Sequence, residues 1–424
     1  MSLYGLPISS PCGEVSIIKT RDAHFLSKLR WSLPWLSSYP VWAIGEWLRR
    51  AERAGTARHL ILVVANHFEP SWNELRLPTD WSIQRSRLEQ WCKLARRIGG
   101  AVPDVDGTPF RHTYFFPGEQ YHRPLLEQLA DLQAEGFGEV EIHLHHGVER
   151  PDTALNLKRT LEEFRDVLAE EHRCLSTMEG GNKPHYAFVH GNLALANSSG
   201  GRFCGVDSEM QILADTGCYA DFTLPAVPTR CQVRRINAIY QCGRPLQERS
   251  PHRSGRNLHV HDSPVLPVLI TGPLILDWSD SWKSLGKPRV EDGVLSERRP
   301  PSLNRLRHWK RADIGIRGKS EWTFIKLYCH GFFLQDQSAM IGEAMHRFLD
   351  EMLALGDRSG NFKVHFATAR EAFNIAMAAV DGQNGEPGSY RDYRLRQIMR
   401  PQPSPLLQNQ RAEFAKQSPT LSIG

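Results

Sequence analysis

The feature that most constrains this chain is a repeated local pattern, a short apolar run that stops at a histidine. It occurs at residues 60–67, followed by Phe68-Glu69-Pro70, and at 139–146, followed by Gly147. It recurs at 187–190, followed by Gly191-Asn192, and at 324–330, followed by Gly331. Apolar runs of this length read as buried strands. The full set of strand candidates is 60–65, 112–116, 139–144, 186–189, 220–224, 268–270, 324–329 and 363–367. Between them, 123–135, 155–170, 209–216 and 341–355 repeat apolar residues at three and four, as helices do. Gly136 and Gly217 follow two of these stretches as helix stops. Strands alternating with helices predict an α/β fold, a distorted (β/α) barrel with fewer than eight regular strands. In such a barrel the C-terminal strand ends build the active site, which is where the histidines fall.

The domain layout follows from composition. Residues 1–56 form an N-terminal, Trp-rich helical extension, with Trp31, Trp35, Trp42 and Trp47 among aliphatic residues and with Pro34 and Pro40 breaking it. Residues 57–380 form the barrel, and 381–424 a polar C-terminal tail, frayed or laid on the surface. The extension reads as a cap on the barrel or, with Arg30, Arg49 and Arg50 flanking its indoles, as a peripheral membrane contact. A net charge of +5 from 52 basic and 47 acidic side chains gives no reason to expect a nucleic-acid partner. No apolar leader or spanning segment is expected, because the longest apolar stretch, 265–278, is cut by Pro267, Gly272 and Pro273. A cytoplasmic protein follows, peripheral to the inner membrane if the extension docks there. The eight cysteines include no C-x-x-C pair and read as reduced, mostly structural thiols. Cys204, Cys218 and Cys231 share a region, but their spacing fits no familiar zinc module.

Imidazole and carboxylate are the donors that a borderline divalent cation takes, so His67 with Glu69 is a candidate ligand pair. A local hydrogen-bonded pair is the plainer alternative. On a strand, His143 and His145 point the same way while His146 turns off at Gly147, and two imidazoles on one face suit one metal. For His190 and His330 the plainer reading is a core histidine donating to a carbonyl, although the glycine after each suggests a tight turn or a ligand's close approach. Asp221 reads as an acid at another strand end that holds sugar hydroxyls, or as a solvated loop carboxylate. Tyr114, Phe115, Phe116 and Tyr121 read as core and rim, with sugar stacking as the alternative.

The order strand-His67, strand-His145, strand-His190 and late strand-His330 resembles the NodB-type polysaccharide deacetylases of the glycoside hydrolase/deacetylase barrel superfamily, over residues 57–380. A closer likeness, block by block, is to an uncharacterised bacterial family carrying HFEP, EVEIHLHHG, FVHGNLAL, CGVDSE, TGCYADFTLP, FIKLYCHG and ATAREAFN. The deacetylases end their first strand with two aspartates, a base and a metal ligand. Here Asn66 and His67 stand in those places, and a histidine pair with three residues between its members becomes His145 and Glu149. Asn66 occupies the catalytic position without a titratable group, so Glu69 is the nearest base. The resemblance makes His330 the general acid and sets His190 and Asn192 in the substrate groove. Arg370 and Glu371 become outer partners of the site or a plain ion pair.

The chain is thus expected to be a metal-dependent hydrolase that removes N- or O-acyl groups from a polysaccharide or its precursor. It would hold one divalent ion, zinc or another transition metal, through His67, His145 and either Glu149 or His146, with His143 on the same strand face. Two alternatives stand beside it. One is a glycoside hydrolase using Glu69 and Asp221. The other is an inactive carbohydrate-binding protein of a polysaccharide biosynthesis or export system.

Overall fold

The computed structural model describes residues 21–52, 57–72, 78–279 and 288–399. Residues 1–20 of the expected extension and 400–424 of the expected tail lie outside them.

All eight expected strands form. They are β1 (Arg58–His67), β2 (His112–Pro117), β3 (Gly138–Leu144), β5 (Pro184–His190), β6 (Cys218–Asp221), β9 (Val268–Ile270), β12 (Trp322–Cys329) and β13 (Phe362–Phe366). Shorter strands that have no clear periodicity add to them, β4 (Ser176–Met178), β7 (Ile239–Cys242), β8 (Gly255–Asn257) and β14 (Leu395–Gln397) in the same sheet and β10 (Ile275–Asp277) with β11 (Arg289–Glu291) as a separate pair. The main sheet runs β12-β1-β2-β3-β5-β6-β9-β7-β8, parallel from β12 to β9 and antiparallel beyond. This is an α/β fold with a large, mostly parallel sheet. Among the described residues no ladder joins β12 to β9. Across that gap Lys326 on β12 donates to Leu224 O at 3.0 Å, and Gly272, just past β9, sits where a Cβ would lie 2.8 Å from Lys326 O.

The strand period decides which side chains reach which side of the sheet. On β1, Leu60, Leu62 and Val64 pack on one face of the sheet, here the outer, in a core with Leu88, Trp91 and Ile98, whereas Ile61, Val63 and Ala65 pack on the other, the inner, with Phe115, Val189 and Phe324. The outward layer includes α2 (Trp81–Ala101), whose buried Leu88, Trp91, Cys92, Ala95 and Ile98 recur at helical spacing, together with α3 (Arg123–Ala134) and α4 (Ala154–Asp166). It continues with α5 (Glu209–Thr216), α6 (Leu303–Ala312), α7 (Gln337–Met340) and α8 (Glu343–Ser359). Gly217 ends α5 in the left-handed region at φ 105°, as the helix-stop reading requires. The alanine-rich α9 (Ala369–Val380), absent from the helices expected above, is buried along its whole length, its polar Arg370, Glu371 and Asn374 included, so it presents no solvent-facing side.

The N-terminal extension corrects one expectation. Its helix α1 (Arg21–Glu52) continues through Pro34 and Pro40 rather than breaking there. Ser37 donates its hydroxyl to Pro34 O at 2.9 Å, one local use of a helix carbonyl. Trp35 and Tyr39 bury against Ile236 and Leu274, and the Tyr39 hydroxyl accepts from Leu276 N at 3.1 Å. Leu33, Val41, Ile44, Trp47 and Leu48 stay exposed. No helix among the described residues is long and apolar enough to cross a membrane. At the other end, residues 381–399 lie against the body, with Leu395 buried and β14 paired to β4.

Candidate metal centre

The inner face of β3 carries Glu139, Glu141, His143 and, one step past its end, His145. The outward positions Val140, Ile142 and Leu144 are apolar. A polar column inside a sheet is costly unless each member finds a partner. Glu139 takes Arg370 at 2.7 Å, and Glu141 takes the Tyr219 hydroxyl at 2.5 Å. The two histidines meet residues from the neighbouring strand ends.

His143 Nδ1 lies 2.9 Å from Val189 O, and only a protonated nitrogen satisfies a carbonyl. Its Nε2 then carries a lone pair in the neutral ring, and that atom faces Glu69 Oε1 at 3.3 Å. His145 repeats the arrangement. Its Nδ1 lies 2.5 Å from Glu119 Oε1, and its Nε2 lies 3.2 Å from the same Glu69 oxygen without forming a hydrogen bond. A neutral His145 would bring a second lone pair to that oxygen, a repulsion that a proton on the ring or a cation among the three atoms relieves. Glu69 is 2% exposed, its other oxygen has no partner, and neither has Nε2 of the buried His67. One ligand atom from each of Glu69, His143 and His145 lies within 4.8 Å of the others, a separation a metal ion can bridge.

Electrostatics follow the same geometry. Burial pushes the Glu69 carboxyl up, but the imidazoles of His143 and His145 beside it prevail and hold it well below the carboxylate range. Burial pulls His145 down, yet Glu119 and Glu69 raise it to about 10. Burial, helped by His330 and His143, keeps His67 far below its ordinary value, so this ring is neutral at pH 7. Ring centroids lie 5.1 Å apart for His67 and His143, and 4.9 Å for His67 and His330. Trp72 stacks on His145 at 5.7 Å.

Several expected site residues lie elsewhere. Asn66 alternates to the face opposite His67, accepts from Gly331 N at 2.8 Å and contacts His112 at 3.3 Å, so its amide is turned away from the Glu69 cluster. Glu149 is exposed and joins no ligand cluster. His146 turns away from His145 to Asp152 and Glu209, each at 3.1 Å. His190, 0% exposed, faces outward beside His146 and lines no groove. Asn192 donates its backbone N–H to His190 Nδ1 at 3.3 Å and is part of that packing. Asp221 is buried and capped by Thr223 Oγ1 at 2.7 Å, and burial pushes it up to about 7, so it presents no carboxylate to a sugar. Arg370, also buried, is spent on Glu139 near the N-terminal end of β3. Tyr114, Phe115 and Phe116 are core, and Tyr121 pairs with His172.

Glu119 and Trp72 were missed. Glu119 follows β2 in Pro117-Gly118-Glu119, a strand end closed by glycine and then an acid, the reverse of the histidine-then-glycine order at the other strand ends. Trp72 gave no signal beyond its closeness to Glu69. Comparison of the chain with protein-family models, with curated proteins and with solved structures finds no match, so the centre is read from its own geometry.

Proposed function

We propose that this chain is a metal-dependent hydrolase acting on an acyl group of a carbohydrate, on a β/α barrel whose seam lies at Lys326. One observation carries the reading: two buried imidazoles, their Nδ1 atoms committed to Val189 O and Glu119, aim Nε2 at a single oxygen of Glu69. The residues fit a divalent cation, zinc or a similar transition metal, because two imidazoles and a carboxylate are a donor set that leaves a coordination position open. When bound, such an ion polarises a carbonyl and acidifies water.

The protein's own groups divide the remaining work. Glu119 fixes the ring of His145, an outer partner that strengthens it as a ligand. Glu69 is buried and shared between two rings, so its role moves from base to ligand. His67 is neutral, with an unpartnered Nε2 beside His143 and His330, and is suited to accept a hydrogen bond from bound water or substrate rather than to act as a strong base. His330, half-buried beside it, is suited to protonate the leaving group. The carbohydrate substrate rests on the resemblance of the sequence blocks.

Neither alternative gains support. The glycosidase pair would use Asp221, which is sealed and capped. The inactive reading took its motive from Asn66, which faces away from the cluster. The test is metal content and acetate release from acetylated oligosaccharides, wild type beside His145→Ala and His143→Ala. The expected result is loss of one metal equivalent in each variant and a fall of about a hundredfold or more in acetate release. Variants that keep the wild-type metal content would overturn it.

A further inference from the structure

Across the sheet from this centre a second set of donors converges, and it belongs to none of the chemistry above. His146 follows β3, His190 ends β5, Cys204 lies in the loop after β5, and Glu209 opens α5. Their exposures are 7%, 0%, 0% and 0%. His146 Nε2 lies 3.1 Å and His190 Nε2 3.7 Å from Glu209 Oε1, while Cys204 Sγ lies 3.3 Å from Glu209 Oε2. One donor atom from each of the four falls within 4.8 Å of all the others. Bonds of roughly 2.0–2.3 Å to a tetrahedral ion set their donor atoms about 3.3–3.8 Å apart, close to these values.

We propose that His146, His190, Cys204 and Glu209 form a closed structural zinc site on the outer side of the sheet.

Three observations support it besides the clustering. His190 Nε2 has no hydrogen-bond partner although its side chain is fully buried and aimed at Glu209. His146 Nδ1 is held by Asp152 Oδ2 at 3.1 Å, the outer carboxylate that zinc-bound histidines commonly use to fix their tautomer. Ala196 N donates to Glu209 Oε2 at 2.5 Å and orients that carboxylate in turn. A thiolate and a carboxylate with two neutral imidazoles also balance the charge of a divalent ion. One contact has to yield: Asn192 N–H reaches His190 Nδ1 at 3.3 Å, and a metal-bound His190 carries its proton there.

The donor types choose the metal, and their number chooses the role. Sulfur, nitrogen and oxygen donors in a sealed, four-donor set suit zinc and leave no position for substrate. The loop that supplies Cys204 explains why such a clamp is useful. Leu193, Ala196, Asn197 and Phe203 all take positive φ, between 47° and 67°, a conformation that residues other than glycine hold only under outside constraint.

Cobalt(II) separates the two centres, because only the outer one contains a thiolate. Full-length protein freed of metal and reloaded with cobalt is expected to develop a thiolate-to-cobalt charge-transfer absorption in the near ultraviolet. The band should persist in His143→Ala and vanish in Cys204→Ser. Zinc content should fall by one equivalent in Cys204→Ser, separately from the equivalent lost in His143→Ala. Cobalt-loaded wild type without the band would overturn the proposal, and that result needs no variant to fold. The band can be present while the inner centre stays empty, so the two readings fail independently.

Discussion

The two ends of β3 bury the same kinds of group and treat them differently. At the N-terminal end, both oxygens of Glu139 are taken by Arg370, Thr368 and Gln397, and both oxygens of Glu371 by Arg111, Thr368 and Arg391. At the C-terminal end, Glu69 Oε2, His67 Nε2 and His145 Nε2 have no hydrogen-bond partner. Satisfied buried charge holds a fold in register. Buried polar atoms left without partners cost stability; at the N-terminal end they are Arg111 Nε and Gln397 Oε1, beside carboxylates that are themselves satisfied, whereas at the C-terminal end they are atoms able to ligate a metal.

The largest effect that would test this contrast is expected from Arg370→Met. It leaves Glu139 buried without its cation, and breaking such a pair costs about 3–5 kcal/mol, to be read from urea unfolding. A loss under about 1 kcal/mol would mean that the N-terminal end is less constrained than its bonds imply.

A pH series sharpens the same point. Burial raises the Glu371 carboxyl, but Arg111, Arg391 and Arg370 together hold it at about 2, below its ordinary 4.5. A depressed carboxyl contributes stability that is complete above the ordinary value and lost as pH falls toward the folded one. Glu371→Gln should therefore cost on the order of 2–3 kcal/mol at neutral pH and flatten the acid limb of stability below about pH 4.5. An unchanged acid limb would assign it to other carboxylates.

The smallest effect belongs to the C-terminal end. His67→Phe keeps a ring of similar size and removes an unpartnered nitrogen, so stability should stay within about 1 kcal/mol of wild type or rise, while hydrolysis fails. A thermal midpoint that drops as far as that of Arg370→Met would erase the difference between the two ends.

How much of this was legible beforehand follows from what periodicity can carry. Strands β1, β5 and β12 announced themselves as largely apolar runs closed by a histidine, and β3 by apolar residues that alternate with Glu139, Glu141 and His143. The pairing of His143 with His145 followed from the period of two. What periodicity could not carry was partnership across sequence. Glu119 reaches His145 only because β2 lies beside β3, and Cys204 reaches His146 only because a loop of unusual backbone folds back. Family-style alignment of positions misled where it ignored the alternation. Asn66 was matched to a catalytic acid, yet the residue next to an inward His67 has to point outward. The proline-containing helix α1 was misjudged for a related reason, since breaking rules describe isolated helices and this one is packed through Trp35 and Tyr39.

His145 and His146 are consecutive, and they serve opposite sides of the sheet. With both centres loaded, the plane of the peptide between them would be gripped from two directions. Thermodynamic reciprocity then makes the two occupancies interdependent: an ion that immobilises His146 spares the other part of the cost of ordering His145, and each binds more tightly in the presence of its neighbour. The sheet would act less as a wall between two sites than as a shared lever, one amide bond long.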